Sequence, residues 1–218
     1  MIYMAEFVRA RSDANKEKRF IELKNATELL FHEKTYHEIT LAAIAENVGW
    51  SRANLYKYIT SKEEIFLEIL IDKYIVFTET LLAAFPTESN YSRSTVAEVC
   101  AGIFTAHKDF LNYYNLLPII LETNVSLDNL VKFKKTFMEY TQIMTAHFSQ
   151  YLQLSASDTM TLFSTVLFHA TGLNGNCQNN ALAKEAARIA GIPEIQIDFN
   201  KEMQTFICMC LNHYANKD

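Results

Sequence analysis

The chain has 218 residues, half of them hydrophobic and 21% charged, enough for one large domain or a small one joined to a larger one. Five Gly and three Pro leave long stretches free to be helical, and fifteen Phe with eleven Tyr supply a bulky interior, part of which lines a cavity or a subunit interface. The net charge of −5 excludes a general polyanion binder, but the first 64 residues carry ten basic and ten acidic side chains and are neutral, which leaves room for a modest local phosphate patch with salt-sensitive affinity.

Residues 1–14 read as a flexible, mixed-charge arm; Arg9, Arg11, Lys16 and Lys18 reach a minor groove or belong to a solvated tail. The first helix is expected from Asn15 to Glu33, where Phe20, Leu23, Ala26 and Leu30 step along one face. Thr40 stands where a helix N-cap is wanted, before Leu41, Ile44, Ala45 and Val48 at helical spacing. Gly49 can take positive φ, so the chain can turn sharply there. Ser51 caps a second short helix running to about Tyr58, with Leu55 and Ile59 inward. Its outer side holds Ala53, Tyr56 and Lys57, with Arg52 and Asn54 near the exposed N-terminal end. Such a helix suits the major groove of DNA.

Ser61-Lys62-Glu63-Glu64 fits a capping box, in which Ser61 caps forward and Glu64 reaches back. It opens a long helix from Lys62 to Ala84 that stops before Phe85-Pro86. A polar loop over Thr87–Ser94 precedes a helix from about Thr95 to Tyr114, and Pro118 predicts a break or kink near Leu117. Helices follow from Ser126 to about Leu154 and, behind a cap in Ser155-Ala156-Ser157-Asp158, to about Asn174. A loop spans Asn174–Asn180. A short helix over Ala181–Ala190 is stopped by Gly191, and the last helix runs from Asn200 to Ala215. No strand and no internal repeat is evident, so the fold class is all-α: a helix-turn-helix domain over residues 1–64 and a larger helical domain over 65–218.

Cys100, Cys177, Cys208 and Cys210 read as reduced thiols. The start MIYMAEFVRARSDANKEKR lacks the apolar core of a signal peptide, and no apolar run is long enough to span a bilayer, so a cytoplasmic protein without a membrane partner is expected. His107, His147, His169 and His213 form no HxxxH spacing and the cysteines no CxxC, which argues against a metal site; no cofactor is expected.

From Arg19 to Leu70 the chain resembles the N-terminal domain of TetR-family transcriptional regulators. The residues that carry the resemblance are Ala26, Leu30-Phe31, Tyr36, Ile39-Thr40, Ile44-Ala45, Val48-Gly49, Ser51, Leu55-Tyr56, Tyr58 and Ser61-Lys62-Glu63. Leu121–Leu127 is similar to a subgroup of these regulators. Two positions depart from the pattern. Thr35 stands where Gly is usual, a difficulty if positive φ is needed. Trp50 replaces a smaller aliphatic residue and either packs beneath the two helices or lies against the DNA backbone.

The resemblance implies a homodimer, a palindromic double-stranded operator and a small-molecule effector held in the C-terminal domain. Its recognition helices must stand roughly 34–36 Å apart. Tyr56 and Lys62 are candidate phosphate contacts, and Thr40 and Ser51 serve as caps and as phosphate ligands. Arg52, Asn54 and Lys57 are candidate base readers, Ala53 permits close approach, and Tyr58 completes the interface. The helix from Asp158 to Leu173 and the last helix are the expected dimer interface. Effector-binding residues stay unassigned, although Tyr113, Tyr114, Glu122, His169 and Thr171 are polar enough to punctuate an apolar pocket.

The leading expectation is a ligand-responsive regulator, a repressor and not an enzyme. The rivals are a helical interaction protein that has lost its operator and a cysteine-dependent enzyme using Cys177 or Cys100.

Overall fold

The structure, a computed structural model, describes residues 2–177, 181–193 and 196–215, with residues 2–15 and residue 215 described by backbone only. Among them are eleven α-helices and no strand: α1 Ile2–Glu33, α2 Leu41–Asn47, α3 Arg52–Leu55, α4 Lys62–Ala84, α5 Arg93–Ala106, α6 Lys108–Leu116, α7 Glu122–Asn124, α8 Leu127–Leu152, α9 Ala156–Asn176, α10 Ala181–Ile189 and α11 Phe199–Ala215. The chain divides into two compact units. The first comprises residues 1–70 and 117–133, the second residues 71–116 and 134–218.

In the first unit Leu23, Ala26 and Leu30 of α1 are buried, as are Ile44 and Ala45 of α2, Leu55 of α3 and Ile65, Phe66 and Leu70 of α4. Phe66 gathers two rings edge-on, Phe31 and Tyr36, each at 5.2 Å between centroids. The segment from 117 to 133 is fastened to the early part of α4 by polar contacts. Ser61 Oγ donates to Asn124 O (3.3 Å), and Lys132 pairs with Glu68 (2.7 Å).

The second unit is built on an aromatic core. Tyr74 stacks on Phe137 (4.1 Å) and Phe77 on Phe110 (5.0 Å), while Phe148 meets Phe85 and Phe163 edge-on. Several part-buried polar groups pair between its elements: Tyr74 hydroxyl with Thr141 (2.7 Å), Asn174 with Asn112 (2.8 Å), Asn200 with Thr105 (3.0 Å) and His147 Nε2 with Phe85 O (2.7 Å). α10 is amphipathic and lies in solvent, with Leu182 and Ile189 exposed.

Several boundaries differ from expectation for local physical reasons. α1 begins at Ile2, not at Asn15, because no Gly or Pro interrupts the chain before Gly49. The expected arm is thus helical in backbone, and the Arg9 and Arg11 side chains lie outside the described ones. One helix was expected over Thr95–Tyr114, but His107 leaves helical geometry (φ −109°, ψ 33°) and separates α5 from α6. Asp109 accepts from the backbone N–H of Phe110 and from Lys73, a local bond that competes with helix continuation. The interruption expected at Pro118 is present, since α6 ends at Leu116, but the chain stays helical through it. The chain widens into a π-helical turn over Leu117–Leu121, which absorbs the missing donor. α8 stops at Leu152, short of Leu154, because Gln153 adopts φ 56° and closes the helix end. Of the loop expected at 174–180, residues 178–180 lie outside the described ones, while the chain is still helical at 176.

Candidate nucleic-acid interface

The turn between α2 and α3 is fixed by its own backbone. Thr40 is extended (φ −122°) and its side chain accepts from Ala43 N–H (3.1 Å), which starts α2. α2 ends in a Schellman motif: Trp50 N–H bonds Ala45 O (2.8 Å), Gly49 N–H bonds Glu46 O (3.0 Å), and Gly49 sits at φ +69°. Ser51 then caps α3 by accepting from Asn54 N–H (3.3 Å). α3 is shorter than expected. After Leu55 the chain tightens into 3₁₀-type bonds, with Lys57 N–H on Asn54 O and Tyr58 N–H on Leu55 O. Thr60 and Ser61 must already leave helical geometry to cap α4.

This geometry sorts the side chains. Leu55 and Ile59 are buried (0% and 2% exposed). Ser51, Arg52, Ala53, Tyr56 and Lys57 are exposed, as is Thr40. Asn54 and Tyr58 are half-buried. Tyr56 keeps 57% of its surface in solvent. Trp50 packs against the Tyr58 ring (5.2 Å between centroids), and the Arg19 guanidinium stands over the indole at 5.4 Å.

Lys62 stands apart from the other candidates. Its ammonium donates to Tyr36 O (2.8 Å) and Ile39 O (2.7 Å) and lies 3.8 Å from the centre of the Tyr36 ring. Burial holds its pKa below the ordinary lysine value, against the upward pull of Glu63. Tyr36, itself buried, donates its hydroxyl to Glu63, and burial together with that carboxylate raises the phenol's pKa. Glu64 reaches back as a capping residue must, but to Thr60 N (2.9 Å) and Thr60 Oγ1 (2.6 Å) rather than to Ser61; Ser61 Oγ accepts from Glu64 N–H (3.4 Å). Thr35 needs no positive φ. It is extended (φ −71°), and the Glu38 carboxylate accepts from its N–H (2.8 Å) and its hydroxyl (2.7 Å).

The polar residues considered for an effector pocket are dispersed. Thr171 bonds back to Leu167 O (2.8 Å), His169 stacks on Phe206 (3.7 Å), and Tyr113 and Tyr114 lie on α6. Glu122 belongs to the first unit. A cavity of about 20 Å³ in the second unit is lined instead by apolar side chains, among them Val96, Cys100, Phe104, Phe148, Leu162 and Ile207. Polarity could not reveal it, because nothing polar lines it. Burial pushes the Cys100 thiol up to about 12, so it is no thiolate near neutral pH. The Cys177 thiol faces a carbonyl, Ile197 O (4.0 Å). Among the described residues no group of three or more His, Cys, Asp or Glu side chains could hold a metal ion, and no helix is long and apolar enough to cross a membrane.

Comparison with known proteins places this geometry. Residues 23–69 match the model of bacterial regulatory proteins of the tetR family, and residues 72–213 match the model of a tetracyclin repressor-like C-terminal domain. Among solved structures, a transcriptional regulator of the TetR/AcrR family from Thermobifida fusca is 20% identical, with a TM-score of 0.57 over 90% of this chain and 98% of that one. A TetR-family transcriptional regulator from Streptomyces coelicolor is 13% identical (TM-score 0.57, 90% and 99%). The fatty acid degradation regulator FadR from Bacillus halodurans is 11% identical (TM-score 0.56, 88% and 94%). At these identities the likeness is one of fold. No curated protein matches the sequence.

Proposed function

The chain belongs to the TetR family of bacterial regulatory proteins, and on that premise we propose that it is a ligand-responsive transcriptional repressor that binds a palindromic operator as a homodimer. The observation that carries the reading is α3: capped by Ser51, anchored by Leu55 and Ile59, and presenting Arg52, Ala53, Tyr56 and Lys57 to solvent. Arg52, Asn54 and Lys57 read base edges, Ala53 lets the backbone approach, and Tyr56, Tyr58, Thr40 and Ser51 meet phosphates. Lys62 belongs to the same interface through the turn it holds. Residues 1–64 form the DNA-binding domain and 65–218 the domain for effector and partner.

The proposed dimer face is α9 with α11. Their exposed Met160, Phe168 and Met209 are large apolar side chains left in solvent by a single chain. A small molecule that prefers another spacing of the two heads weakens DNA binding by its own preference for that state. The protein acts in the cytoplasm without metal, cofactor or catalysis.

Fluorescence titration of the full chain with genomic duplex fragments at low salt tests the reading. The expected result is tight binding to a small set of fragments sharing a twofold-symmetric motif. Equal, weak binding to every fragment favours the rival, an interaction protein with a neutral head.

A further inference from the structure

We propose that Lys62 is a positioning residue of the DNA-binding head, its ammonium holding the Tyr36–Ile39 turn against the start of α4 rather than neutralising a phosphate. The proposal rests on the DNA-binding reading above.

An ammonium has three donors. Two of them are spent at 2.8 and 2.7 Å on Tyr36 O and Ile39 O, and the charge faces the Tyr36 ring at 3.8 Å. The two carbonyls bracket one 3₁₀ turn, which Ile39 N–H closes onto Tyr36 O (3.3 Å). That turn ends one residue before Thr40, the cap of α2. Tyr36 is also held from its far end, because its hydroxyl donates to Glu63. Consecutive residues of α4 thus grip the backbone and the side-chain tip of the same residue. Their neighbours are committed too: Ser61 Oγ to Asn124 O, and Glu64 to Thr60.

With two donors on carbonyls and the ammonium lying against the Tyr36 ring, a phosphate oxygen would have to compete with one of these contacts. Displacing Ile39 O would take away its Lys62 donor, and displacing Tyr36 O would leave it only the longer bond from Ile39 N–H (3.3 Å), a loss that outweighs one solvent-exposed ionic contact. Holding the turn, by contrast, sets where α2 begins. α2 leads through the Gly49 turn into α3, so the placement of Arg52 and Asn54 depends on it. A misplacement of about 1 Å is enough to spoil a pre-set geometry. Lys62 therefore contributes to discrimination between sequences and not to the charge that attracts any duplex.

The test uses the full chain and a duplex that the wild type selects from a random pool. Affinities for that duplex and for a scrambled one are measured from about 50 to about 200 mM salt. For Lys62→Met the expected result is a loss of about ten-fold or more on the selected duplex, a change within about two-fold on the scrambled one, and an unchanged salt slope. Equal losses on both duplexes, with the slope lower by about one, would make Lys62 a phosphate ligand and overturn the proposal. Equal losses at unchanged slope would make it a merely stabilising residue and overturn it as well. Lys62→Arg keeps the charge but replaces a point donor with a planar fork. It should also lose discrimination, and wild-type behaviour on both duplexes contradicts the proposal even if the methionine variant fails to fold. A wild type that selects no duplex removes the regulator reading itself; a slope change in a wild type that does select removes only the role given to Lys62.

Discussion

Arg52 and Asn54 sit in the first turn of a helix only four residues long, so their placement depends on the cap and the turn before them. Neither belongs to the buried core, and their loss should leave the fold intact. Arg52→Ala and Asn54→Ala are each expected to cost about 1–3 kcal/mol of operator affinity and to relax base preference at one position, read by titration against single-base operator variants. Gly49 offers a complementary test on stability. A Cβ there would meet nothing within 4 Å, yet the residue holds φ +69°. Gly49→Ala should therefore destabilise through backbone strain alone, by about 1–2 kcal/mol in urea denaturation, and Gly49→Asn by less. These residues were legible from spacing: a cap, an apolar face, a glycine and a second cap follow one another at fixed offsets. The hydrogen bonds of Lys62 to Tyr36 O and Ile39 O were not, because a lysine at a helix start looks the same in sequence whichever acceptor it meets.

Helix ends show where local chemistry can be read and where it cannot. The caps Thr40, Ser51 and Ser155 and the stop at Gly191 follow from residue type, since oxygen side chains accept orphan N–H groups and glycine takes positive φ without cost. The end of α8 does not, because Gln153 adopts φ 56° where glycine is expected. Its Schellman bonds, Leu154 N–H to Ser149 O and Gln153 N–H to Gln150 O, hold it there. Gln153→Gly relieves that strain and should raise stability by about 1 kcal/mol in the same denaturation assay. The break between α5 and α6 was hidden too, since it depends on Lys73, far away in sequence, pairing with Asp109 (2.6 Å). Burial alone would raise the Asp109 pKa, but Lys73 and the Phe110 N–H outweigh it and hold the carboxyl below its ordinary 3.8. A folded-state pKa below the unfolded one gives stability that is present above the ordinary carboxylate range and lost as pH falls through the folded value. Wild type should thus lose more stability than Asp109→Asn as pH drops from about 5 to about 3, and parallel acid profiles would show that the pair contributes nothing.

At the scale of the whole molecule, helix content and the helix-turn-helix were written in periodicity and in the scarcity of Gly and Pro. The membership of residues 117–133 in the first unit was not, because it rests on long-range contacts such as Ser61 with Asn124 and Lys132 with Glu68. The apolar cavity escaped for a related reason: ten separated residues on four helices line it, and no polar pattern marks them. Assembly is the next test at this scale. Phe168 is 64% exposed on α9, so Phe168→Asp should fold but sediment as a monomer, and operator affinity should fall with it. The account stands or falls on α3 entering duplex DNA. Hydroxyl-radical footprinting of the full chain on a duplex it selects tests that most directly. Protection of two successive major grooves on one side of the duplex, centred roughly 34–36 Å apart, is the predicted result. A pool that never converges, or protection that persists unchanged when Arg52, Asn54 and Lys57 are all replaced by alanine, would contradict it.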